Sequence, residues 1–215
     1  MFNDEFRLTQ AVLNGRKTMT RRIIEIDECV RFPIIRFRPL ENWEKKVVNP
    51  NYVFNGHVYA VYNELDLLCH LVKPRYEIGE VVAIAQSYKD SGYSPDSLDR
   101  HPKDLSVRGL MKDSAGWNNK MFVKSYACRH HIKIVNVKIE RLQDISDEDC
   151  LKEGVIHAYT DNNGIKIYHT PHTKRGYLST DVAQEAFAAL IDKVSGKGTW
   201  ESNPFVFAYE FVLFD

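Results

Sequence analysis

The run Gly15-Arg16-Lys17-Thr18-Met19-Thr20-Arg21-Arg22 places four cationic side chains in eight positions with no acid among them. Glycine reaches the left-handed conformation without steric cost, so Gly15 is read as the stop of a short helix over residues 5–14. Phe6, Leu8, Ala11 and Val12 lie close to helical spacing and give that helix one packed face. Beyond the stop the chain enters an exposed turn or strand. In an extended segment alternate residues share a face, so Lys17 and Met19 point one way while Thr18 and Thr20 point the other. Lys17 and Thr20 therefore meet only if the backbone turns between them. An amine that reaches a hydroxyl can bind an anion or activate an oxygen nucleophile; a solvated basic turn is the plainer alternative.

Around this run, the 215-residue chain balances 29 Lys plus Arg against 29 Asp plus Glu. No global field draws in nucleic acid or an anionic membrane, and nucleic-acid binding would need a local patch. Cys29, Cys69, Cys128 and Cys150 are far apart and form no C-x-x-C pair, which argues against a zinc ribbon or dithiol redox site and fits reduced thiols in the cytoplasm. Acids occupy the N-terminus where a secretory signal needs an apolar run, and no stretch approaches a membrane span. A cytoplasmic protein with no membrane partner is expected, built as one domain over residues 1–215 with long insertions near 39–75, 87–119 and 157–179.

Residues 30–37 are rich in branched and aromatic side chains, but Pro33 lacks an amide donor, which predicts an edge strand or a bulge. Asn55-Gly56 between two strand-like segments predicts a hairpin. The apolar run over residues 81–85 reads as a buried strand, and residues 132–142 as a half-exposed one. Residues 87–119 and 157–179 read as polar loops. Between the latter strand and loop, Ser146 can cap a helix of barely two turns, with acids in its first turn and Gly154 as its stop. A longer helix is expected over residues 181–194, and an alternating aromatic strand over 205–214 is expected to close the sheet. With about six strands separated by irregular loops rather than crossover helices, the expected class is α+β, a small mixed barrel with helices at its mouth.

Lysine, threonine and glutamate are the chemistry-bearing set. A partly desolvated lysine can lose its proton near neutral pH, take one from a threonine hydroxyl or a water, and so create a nucleophile. Glu153 ends the short helix beside Gly154, where a surface acid would oppose its own helix dipole. His130 and His131 are adjacent and face opposite sides of a strand, while His169 and His172 flank Thr170-Pro171, which disfavours the helix their spacing would need. No metal site is expected. Cys150 reads as a small core residue, and Trp117 and the loop tyrosines as core residues or as platforms for a base.

Residues 15–22, the segment 76–82 with Gly79-Glu80, the run 142–154 ending in Glu153-Gly154, and the strand 207–211 together resemble the ASCH domain. This is the activating-signal-cointegrator homology group of the PUA-like superfamily, and the chain is similar to its longer phage and prophage members. The resemblance implies a PUA-like mixed β-barrel with a cleft between barrel and helices, and RNA or a modified nucleoside as ligand. One branch of the family hydrolyses the acetyl amide of N4-acetylcytidine without a metal, and its lysine, threonine and glutamate fall by position on Lys17, Thr20 and Glu153. No cofactor is implied. The basic neighbours Arg16, Arg21 and Arg22 would hold carbonyl or phosphate oxygens, with Gln86, Tyr88 and Trp117 as further ligand contacts. Gln86 stands where many longer relatives carry a glutamate before an aromatic residue. Three roles are thus expected in turn: an RNA- or nucleoside-binding domain, an amidohydrolase on an acylated pyrimidine nucleoside, or a structural domain without a ligand.

Overall fold

Helix α1 (Leu8–Leu13) buries Leu8, Ala11 and Val12, and Phe6 just before it is buried as well. The helix ends where Gly15 takes φ +68°, and the amides of Arg16 and Lys17 both donate to the Ala11 carbonyl before strand β1 (Met19–Ile23) begins. These details come from a computed structural model that describes residues 2, 6–26, 33–41, 43–44, 56–93, 116–120, 123–171 and 176–215.

Ten strands occur among the described residues, more than the six or so expected, and they form three antiparallel sheets. The largest has the order β1-β10-β6-β5, with β5 at Val81–Ala83, β6 at His131–Arg141 and β10 at Phe205–Leu213. Strand β10 is interior, paired to β1 on one side and β6 on the other. Strand β5 is also not the buried strand expected from its apolar run. It forms one edge of the sheet, and Val81 is 44% exposed. Burial resumes only at Ile84.

The second sheet, β2-β3-β4, joins Ile34–Pro39, Tyr59–Asn63 and Leu68–Val72. Strand β2 is an edge with a register shift between Ile34 and Arg36, as a strand beginning after Pro33 and ending in Pro39 requires. Both sides of β3 are occupied by β2 and β4. The partner strand expected across Asn55-Gly56 lies outside the described residues, although Gly56 has the positive φ (+80°) that such a turn uses.

The third sheet, β7-β8-β9 (Ile156–Thr160, Lys166–His169 and Ser179–Thr180), stands where a polar loop was expected. Its residues are exposed or half-buried except Tyr168, so no apolar alternation marks it in the sequence. The tight turn at Asp161, whose carboxylate accepts the amides of Asn163 and Ile165, creates the hairpin instead. Between 87 and 119, the helical turn α2 (Tyr88–Ser91) is capped by Ser87; residues 94–115 lie outside the described residues, as do Met121 and Phe122.

Two apolar layers hold the assembly together. On one face of the large sheet Ile132, Ile134, Phe207, Tyr209 and Phe211 pack with Val61 and Val72 of the second sheet and Val12 of α1. On the other face Val206 meets Leu142, Ile145, Cys150 and Phe187, which belong to the helical side. That side comprises α3 (Asp147–Lys152), α4 (Ala183–Ser195) and the short α5 (Thr199–Ser202). Among the described residues no helix is long and apolar enough to cross a membrane.

Candidate functional site

Backbone bonds first bring the two ends of the site together. The Thr18 amide donates to the Lys152 carbonyl at the end of α3 (2.9 Å), and the Thr18 carbonyl accepts from the Phe211 amide (2.8 Å). Residue 18 is thus clamped between a helix C-terminus and the central strand. Lys17, still in the turn before β1, is carried over the end of α3.

There its Nζ lies 2.6 Å from Glu153 Oε2 and 2.7 Å from the Glu153 carbonyl oxygen. Both residues are buried, Lys17 at 3% and Glu153 at 5% exposure, so Glu153 is an internal acid and not a surface one. The ammonium occupies the place where unsatisfied carbonyls and the negative end of the helix dipole converge, which offsets the unfavourable position of Glu153. Burial draws the Lys17 pKa below its ordinary 10.5, while the charge and hydrogen bond of Glu153 work the other way.

Arg21 completes the arrangement from the same strand. Its Cα partner on β10 is Ala208, whose own partner on β6 is Lys138, so a small residue lies between two cations on the helix-facing side of the sheet. Helix α3 presents Asp149 and Glu153 to this space, one turn apart. The Arg21 guanidinium bonds Glu153 Oε1 (3.1 Å), Asp149 Oδ2 (3.2 Å) and, through Nε, Glu140 Oε1 (2.9 Å), while Lys138 reaches Asp149 Oδ2 at 2.8 Å and Glu140 Oε2 at 3.0 Å. Three cations therefore meet three carboxylates. Although burial works against its charge, the carboxylates of Glu153 and Glu140 hold Arg21 above its usual pKa.

A narrow cleft of about 40 Å³ lies against this pair, lined by Lys17, Thr20, Arg21, Arg22 and Glu153 and walled by Phe187 and Leu190 of α4. Thr20 shares it but makes no hydrogen bond to Lys17 or Glu153. The cleft adjoins a groove of about 550 Å³ that also contacts Arg21 and Arg22. A cavity of the second size suits a drug-sized ligand; the first has room only for a small substituent.

Comparison with protein-family models, curated proteins and solved structures finds no match for this chain.

Of the residues singled out in the sequence, Lys17, Thr20, Arg21, Arg22 and Glu153 share one cleft. The others do not join it. Arg16 is exposed beside it, and Gln86 is buried elsewhere, its Oε1 accepting the Arg129 amide. Tyr88 and Trp117 pack with Tyr93 and Ala127 in a separate apolar cluster. These three do not border the cleft because α2 and its surroundings lie off the opposite edge of the sheet, next to β5. Arg21 is present but saturated by carboxylates, so it orders the site and has no fork to spare for a phosphate.

Sequence reading missed Glu140, Asp149 and Lys138. The one-turn spacing of Asp149 and Glu153 on a capped helix was the available signal, since two acids on one helix face demand cations opposite them. Among the described residues no group of three or more His, Cys, Asp or Glu is placed to hold a metal. His130 instead meets Asp215 at 3.0 Å. The Cys150 thiol is fully buried and its pKa is pushed up to about 12 by desolvation, which leaves it inert.

Proposed function

We propose that this chain is a PUA-like domain of the ASCH type that binds a nucleoside unit, free or within RNA, across the cleft and the adjoining groove. The observation that carries the reading is the junction at Arg22. This side chain lines both cavities and forms no ion pair among the described residues, whereas its neighbours Lys17 and Arg21 are neutralised internally. A base edge presented to the narrow cleft would meet fixed donors and acceptors, while the larger groove takes the sugar. Titration with cytidine, N4-acetylcytidine and a short single-stranded RNA tests this. Arg22→Ala should weaken binding at least tenfold, and an unchanged affinity would remove the reading.

Amide hydrolysis is a second reading, favoured by the 2.6 Å contact of a buried lysine with a glutamate beside a threonine hydroxyl that makes no hydrogen bond to either. With its pKa drawn down by burial, Lys17 gives its proton to Glu153 and, as the neutral amine, takes one from Thr20 or from a water held there. The oxygen attacks the acyl carbon, the amide C–N bond breaks, and the leaving amine takes up the proton through Lys17 or Glu153. Attack by water releases the carboxylic acid directly; attack by Thr20 leaves an acyl ester, which a water then hydrolyses to the acid and the free hydroxyl. The narrow cleft has the size for an acetyl group. Incubation with N4-acetylcytidine should release acetate and cytidine, and Thr20→Ala should abolish release while the fold persists. Binding without any release would dismiss hydrolysis and leave the first reading standing.

A further inference from the structure

We infer that the groove beside Arg22 is a phosphate track, so that the ligand entering the cleft is one unit of a single strand and not a free nucleoside. This rests on the nucleoside reading above and adds the class of molecule.

The groove runs between the first and second sheets. Its floor is Phe207 and Tyr209 of β10, and its rim carries Arg22 from β1 together with His70, Lys73 and Arg75 from β4 and the turn after it. Among the described residues Glu25 is the one acid on this lining. In a chain with no net charge, three formal cations against one carboxylate form a local concentration of positive potential, and a concave site focuses it. Arg21 also touches the groove but adds no field there, since Glu140, Asp149 and Glu153 neutralise it. Among the described residues Lys73 has only a loose partner, Glu77 at 3.8 Å, and both Lys73 and Arg75 are exposed.

The placement of these cations is built in. Pro74 between them is buried, and the Arg75 amide donates to the Tyr209 hydroxyl at 2.8 Å, which pins the turn to the groove floor. Two long cationic side chains are thereby held on one side of a channel whose far end is the cleft. Neutral nucleosides have no use for them. A strand offers a phosphate to each, and the separation of a small neutral cleft from a larger cationic groove matches a base edge and its flanking backbone.

The test compares three probes on the whole protein: N4-acetylcytidine, its 5′-monophosphate, and a single-stranded ten-nucleotide RNA with N4-acetylcytidine at its centre. The oligonucleotide should bind at least tenfold more tightly than the nucleoside at low salt, with log affinity falling against log salt at a slope of about −2 for three phosphates. The double variant Lys73→Ala/Arg75→Ala should remove most of the oligonucleotide's advantage over the nucleoside and flatten the slope by about 1.4, leaving about one phosphate contact, without altering nucleoside binding. Lys166→Ala, at an exposed position of strand β8, serves as the charge control and should change nothing. Equal affinity for nucleoside and oligonucleotide, or an oligonucleotide affinity untouched by the double variant, overturns the phosphate track and leaves the nucleoside site in place. Should the monophosphate equal the oligonucleotide, a single phosphate suffices and the strand is overturned. Failure of all three probes to bind overturns the nucleoside reading itself.

Discussion

The ammonium of Lys17 and the carboxylate of Glu153 lie 2.6 Å apart in a buried contact between residues 136 positions apart in the chain. Removing one partner should cost far more than removing both. Glu153→Gln leaves a buried ammonium without its counter-charge and should lower unfolding free energy by about 3 kcal/mol or more, whereas Lys17→Met combined with Glu153→Gln should recover most of that loss. Urea unfolding of the two single variants and the double variant measures the coupling.

Gly154 has φ +113°, and a Cβ placed there would come 3.1 Å from Leu8 Cδ2 and 3.8 Å from Lys17 Cδ. Gly154→Ala should therefore destabilise by about 1–3 kcal/mol through its backbone and crowd the Leu8 side chain, while Lys17 stays at an ordinary contact distance. Thermal unfolding measures the loss, and nucleoside binding should fall no further than in an equally destabilised core variant.

Asp149 loses some charge stability to burial, but hydrogen bonds and charge from Lys138, with the charge of Arg21, hold its carboxyl below the ordinary 3.8. A carboxyl whose folded pKa is depressed contributes stability that is present above 3.8 and lost as the pH falls through the folded value. Lys17, drawn below 10.5, has the opposite character: its cost is present below its folded pKa and is relieved as the pH rises toward 10.5. The acid limb of a stability–pH curve below 3.8 should accordingly be shallower for Asp149→Asn, and the alkaline rise should vanish in Lys17→Met. Chemical denaturation across the pH range checks both.

Thiol labelling should follow exposure. Cys69 is half-buried, whereas Cys128 and Cys150 are buried and Cys150 also has its pKa pushed up to about 12. Of the three cysteines among the described residues, Cys69 should be alkylated first under native conditions and Cys150 only after unfolding, as read by mass spectrometry of peptides. Rapid native labelling of Cys150 would show that the layer between α3, α4 and the sheet opens readily.

Local chemistry was legible along the chain. Gly15 ends α1, Ser146 caps α3 through its bond to the Asp149 amide, Gly154 follows it with positive φ, and Pro33 and Pro39 confine β2 to an edge. Each of these depends on neighbours within a turn. The third sheet escaped because its strands are short and exposed or half-buried except at Tyr168, so no hydrophobic period betrays them. The continuous apolar run at Val81 suggested the opposite error, since an edge strand beside a covered face looks like a buried one.

At the site, the sequence alone determined which side chains have the right chemistry: an amine, a hydroxyl and a carboxylate, each next to a turn-forming glycine or strand entrance. The tertiary structure alone decided their relations. It set Lys17 on Glu153, left the Thr20 hydroxyl unbonded to both, saturated Arg21 with carboxylates from β6 and α3, and left Arg22 as the cation between cleft and groove. Helix stops and caps are set by nearest neighbours, but the state of a charge depends on which opposite charges and how much water surround it, and those are supplied by strands and helices more than a hundred residues away.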